Sequence, residues 1–149
     1  MEFKAQIIEH IKGQIAEKIA IAKHAMEEAQ RSANEETKSS AGDKYETGRA
    51  MAQNERDKYA GQLALLKIEM NQLETINFYR QFGMVLKGAL VETEIGFILL
   101  SISIGQITIQ GKNVMVVSNI SPIGKAIWMK KVGERIEFIG KTISILAIH

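Results

Sequence analysis

Asp43 and Glu46 stand three residues apart in the stretch SSAGDKYE, residues 39–46. If a helix begins there, that spacing puts both carboxylates on one face, close enough to meet a single ion. Hard carboxylate oxygens suit Mg²⁺, which keeps much of its water and takes only one or two protein carboxylates. A pair of acids on an exposed bend holds such an ion weakly. It works best when a partner's active site supplies the remaining ligands, as in a two-metal phosphoryl-transfer site. The same residues also have a structural reading: Asp at a helix start caps free N–H groups, and Glu three residues on completes a capping-box-like arrangement. Lys44 and Arg49, with Arg31 and Lys38, surround the acids with charge suited to phosphate, or equally to solubility and helix pairing. Tyr45 could stack on a base or fold back on the bend. Glu35 and Glu36 read as a solvated face.

The elements that must position this pair are two helices. Apolar residues recur at Ile8, Ile11, Ile15, Ile19, Ala22, Met26 and Ala29, in steps of three and four. A second series runs Ala52, Tyr59, Leu63, Leu66, Met70, Leu73 and Ile76, with Arg56 in its one gap. These are the seams of two amphipathic helices that bury their stripes on each other. Between them QRSANEETKSSAGDK offers almost nothing to bury, so residues 1–80 are expected to form an antiparallel coiled-coil hairpin with its tip near residues 36–48. Each arm of about 35 residues would be roughly 50 Å long.

Beyond residue 80 the period changes. VETEIGFILLSISIGQITIQGKNVMVVS is rich in β-branched residues and punctuated by Gly96, Gly105 and Gly111, which predicts short strands and tight turns. SPIGKAIWMKK then opens with Ser121 as N-cap and Pro122 at the first helical position, predicting a short helix that ends near Lys131. ERIEFIGKTISILAI alternates about a Gly140–Lys141 turn, as a hairpin does. Residues 81–149 are therefore expected to form a small, mainly antiparallel sheet with one short helix, and the whole chain an α+β fold.

Composition narrows the chemistry. The 149 residues include no cysteine, which excludes disulfides, thiolate metal sites and a cysteine nucleophile. His10, His24 and His149 have no zinc-ligand spacing. The net charge of +2 is too small for tight nucleic-acid binding by charge alone. Residues 1–80 hold 12 Lys and Arg against 13 Asp and Glu, whereas residues 81–149 hold 7 against 4 and are more apolar. That shift marks the domain boundary. The apolar run Ile95–Ile104 is too short to span a bilayer, and the N-terminus lacks a long apolar core, so a cytoplasmic protein without membrane partners is expected.

With both halves read, the chain resembles the GreA/GreB transcript-cleavage and elongation factors of bacterial RNA polymerase. SPIGKAIWMKKVGERIEF is similar to the family's C-terminal signature, S-P-hydrophobic-small-basic-A followed by K-x-V-G-D/E and a hairpin. GDKYETGRAMAQNE is similar to its tip motif, with Gly42, Asp43, Glu46, Ala52 and Glu55 on matching positions. The resemblance implies a coiled-coil hairpin followed by a small FKBP-like domain. It implies an accessory factor, itself no enzyme and without a small-molecule substrate, that inserts the hairpin into the polymerase secondary channel. There Asp43 and Glu46 would help hold a catalytic Mg²⁺ shared with the polymerase, for cleavage of backtracked RNA. Ser121, Pro122, Lys125, Trp128, Lys130 and Lys131 would contact the polymerase, and Lys44, Tyr45 and Arg49 the RNA 3′ end. Lys44, Tyr45, Thr47, Arg49 and Ala50 depart from the family's tip. Two alternatives stay open: a channel regulator that binds polymerase without stimulating cleavage, and a coiled-coil adaptor unrelated to transcription.

Overall fold

The computed structural model describes the backbone of residues 1–37 and 43–149, and the side-chain environment of residues 1–35 and 46–149. Helices α1 (Glu2–Thr37) and α2 (Asp43–Glu74) come first. Six strands and one further helix follow: β1 (Leu90–Thr93), β2 (Gly96–Leu100), β3 (Gly105–Ile109), β4 (Lys112–Val117), α3 (Pro122–Ile127), β5 (Arg135–Phe138) and β6 (Lys141–Ile148). The fold is α+β, two long helices packed together ahead of a sheet. Two compact units divide it, Ile11–Asn71 and the sheet unit of Met1–His10 with Gln72–His149.

In the hairpin unit the buried seam runs Ile11, Ile15, Ala22, Ala29 and Ala33 on α1, with Ala52 and Leu63 on α2. Large aliphatics thus give way to alanine toward the bend. Arg56, the polar interruption of the second seam, is half-buried and donates from Nη1 to Gln30 Oε1 across the hairpin at 3.1 Å. A guanidinium on a long apolar stem can occupy a seam position because its head finds an acceptor at the edge.

The sheet unit has strand order β3-β4-β2-β1-β6-β5. Four of its junctions are antiparallel; β2 and β4 are parallel, with Ile98 opposite Met115. The sheet is therefore mixed, because β3 intervenes between them in the chain and takes the edge. The turns between β3 and β4 and between β5 and β6 each have two left-handed residues: Gln110–Gly111 (φ 52° and 75°) and Ile139–Gly140 (φ 51° and 70°). Such turns match the right-handed twist of the strands they join. The second lies one residue earlier than the Gly140–Lys141 expected from the sequence.

On one sheet face Val91, Ile98, Leu100, Ile143 and Ile145 form a core that α3 covers with Ile123 and Ile127. Helix α3 ends at Ile127, not near Lys131. Its continuation is diverted: Met129 N–H donates to Val85 O, and Val85 N–H donates to Lys130 O, each at 2.8 Å. These bonds hold Met129 in the left-handed region, at φ 61°.

The start of α1 is tied into the same unit. Phe3 packs against Phe97 with ring centroids 4.9 Å apart, and Lys112 sits over both rings. Lys4, only 2% exposed, donates to the main-chain oxygens of Phe78 and His149 and lies over the Phe82 ring. Burial lowers its pKa from 10.5 to about 8. Between those values the unfolded chain holds more proton than the folded one, so this group favours folding increasingly as pH rises. A neutral amine still has two N–H groups for the two carbonyls. The stability of the wild type relative to Lys4→Met is thus expected to rise between pH 8 and 10.5, by on the order of 1 kcal/mol per pH unit. Urea titrations across that window check it; a difference that stays flat or falls contradicts it.

Candidate functional site

Helix α2 begins at Asp43, so Asp43 and Glu46 occupy its first turn, one helical step of three apart. Glu46 is exposed. The side chains of Asp43, Lys44 and Tyr45 lie outside the described residues, as does that of Glu36. Arg49 is half-buried, while Glu35 and Thr47 are exposed. Among the described residues no group of three His, Asp or Glu side chains comes together that could hold a metal. Two acids in one helical turn fit Mg²⁺ only as a partial ligand set, leaving positions for water and for oxygens from another molecule.

The second candidate surface is the segment around α3. Ser121 caps the helix: its Oγ accepts from Gly124 N–H at 3.1 Å and donates to Ser118 O at 2.7 Å. Pro122 follows at the first turn, where no N–H is needed. Gly124 is where the chain doubles back. A Cβ there would lie 2.0 Å from Ser118 O and 2.8 Å from Ser121 Oγ. The small residue of the SPIGKA stretch is therefore a steric necessity of this cap.

Of the expected contact residues, Pro122 and Lys125 lie within α3, while Ser121 and Trp128 are the residues that flank its two ends. Lys125 and Lys131 are exposed, Trp128 is 36% exposed, and Lys130 is half-buried because its backbone pairs with Val85. Ile120, Met129 and Val132 are also exposed, and the sequence analysis did not single out Ile120 or Val132. Ile120 precedes the N-cap, the position of a hydrophobic staple whose partner would be Lys125, four residues into the helix. That partner is not apolar, so Ile120 stays in solvent. The signal was the unmatched staple. Residues 120–132 thus combine exposed apolar side chains with three lysines, of which Lys125 and Lys131 are exposed.

Among the described residues no helix is long and apolar enough to cross a membrane. No protein-family model matches the chain, and no curated protein matches it.

Proposed function

We propose that this chain is a GreA/GreB-like factor that docks on bacterial RNA polymerase through the segment around α3, in an FKBP-like domain. Its hairpin enters the secondary channel. The observation that carries this reading is the start of α2 on Asp43, with Glu46 one turn along, in a chain whose sheet unit also presents the capped, basic, partly apolar segment 120–132. The two acids complete a metal site that the polymerase half-builds, so hydrolysis takes place in the polymerase's own active centre. Mg²⁺ bound there supplies an activated water for phosphodiester hydrolysis. Lys44 and Arg49 offset the negative charge of the RNA, and Tyr45 stacks on its 3′-terminal base.

Lys44 and Tyr45, set between the acids, favour a second reading: the hairpin occupies the channel without promoting cleavage. Stalled, backtracked elongation complexes separate the two. RNA shortened from its 3′ end on addition of the protein supports the cleavage reading. Inhibited extension with RNA of unchanged length supports the regulator.

A further inference from the structure

We propose that the sheet unit holds a binding site for a small, uncharged, compact apolar molecule carrying one hydrogen-bonding group, in a cavity beside α3. This inference stands independently of polymerase binding. The cavity measures about 160 Å³ and is lined chiefly by Ile98, Met115, Ile123, Phe138 and Ile143. Among the described residues none that lines it is charged. An apolar cavity of about 150 Å³ accepts a ring the size of benzene, and protein interiors ordinarily leave few voids larger than water.

The void follows from the fold. Helix α3 has six residues and must cover the core face of a six-stranded sheet. It joins that core through Ile123 and Ile127, and of its residues only Ile123 lines the cavity. There the sheet presents amides on its core-facing side. Gln106 lies opposite Met115, and Asn113 is two residues before Met115, so all three share the face of Ile98. The Gln106 and Asn113 side chains are exposed, whereas Ile98 beside them is 3% exposed. The cavity therefore has an apolar floor and an amide-bearing mouth.

The mouth is held in place by Gly96. A Cβ at Gly96 would stand 2.9 Å from Asn113 O and 3.4 Å from Asn113 Cβ, so β2 approaches Asn113 only with glycine there. A ligand of six to eight non-hydrogen atoms, roughly, fills this volume. Its polar group meets the amides, which both donate and accept. A charged group of the same shape would lose its hydration without a counter-ion.

The test uses the full chain, with ¹³C-methyl spectra of Ile98, Met115, Ile123 and Ile143 as readout. The probes are toluene, cyclopentanecarboxamide and cyclopentanecarboxylate at millimolar concentrations. Saturable shifts confined to these methyls are expected with toluene and the carboxamide, and none with the carboxylate. Gln106→Ala/Asn113→Ala, at two exposed positions, should weaken the carboxamide about fivefold and leave toluene unchanged. Shifts that do not saturate, equal binding of the carboxylate, or a carboxamide affinity unaffected by the double substitution would each overturn the assignment.

Discussion

Gly124→Ala is expected to destabilise the sheet unit by about 3 kcal/mol, lowering its melting temperature by about 15 °C. The added methyl would occupy the place of the Ser118 carbonyl, 2.0 Å away, and press on Ser121 Oγ. Ser118 O accepts from both Ser121 N–H and Ser121 Oγ, so moving it dismantles the turn that sets the cap. Loss of the cap alone costs about 1 kcal/mol, which Ser121→Ala measures. The excess of Gly124→Ala over Ser121→Ala is then the steric part. Melting at the wild-type temperature would mean that the turn before α3 yields freely, and the account of this glycine would be wrong. Because the same turn sets Ser121, Pro122 and Lys125, the substitution should also weaken any partner bound on this segment.

The second large effect is on activity. Asp43→Ala/Glu46→Ala should reduce RNA shortening in backtracked complexes at least about 100-fold, since loss of an outer-shell partner alone costs a metal site up to about that much. Binding to polymerase should be unchanged, because both residues lie in the first turn of α2, outside the docking segment. Stability should fall only slightly, by the helix-dipole contribution of two acids in the first turn, about 1 kcal/mol together. Asp43→Asn/Glu46→Gln separates the roles further: the amides keep size and hydrogen bonding, but they are poor Mg²⁺ ligands. Shortening that survives both pairs of substitutions would leave the acids as first-turn helix residues and nothing more.

What the sequence made legible was local. The seam of α1 and α2 could be read because steps of three and four are intrinsic to a helix, and Arg56 stood out as their interruption. Its acceptor, Gln30, could not be read, since the relative register of two helices leaves no trace in the period of either. The cap of α3 was legible in Ser121–Pro122. Its end was not, because Met129 and Lys130 bond to Val85, far back in the chain. The parallel pairing of β2 with β4 was hidden for the same reason: it depends on β3 swinging to the edge.

At the candidate site the balance is similar. The spacing of Asp43 and Glu46 and their place at a helix start were both legible. The small residue of the SPIGKA stretch was visible as a pattern, but its cause, the Ser118 carbonyl, belongs to the folded turn. The cavity beside α3 had no sequence signature at all. Its lining is assembled from residues as far apart in the chain as Thr93 and Ile143, which only the folded sheet brings together.

The most direct measurement is retention of purified bacterial RNA polymerase by the immobilised full-length chain, alongside a variant with Lys125→Glu, Trp128→Ala and Lys131→Glu. The account predicts that the wild type retains polymerase and that the triple substitution releases it without unfolding the protein. A wild-type chain that retains no polymerase would contradict the proposed function, and with it the roles given to Asp43 and Glu46.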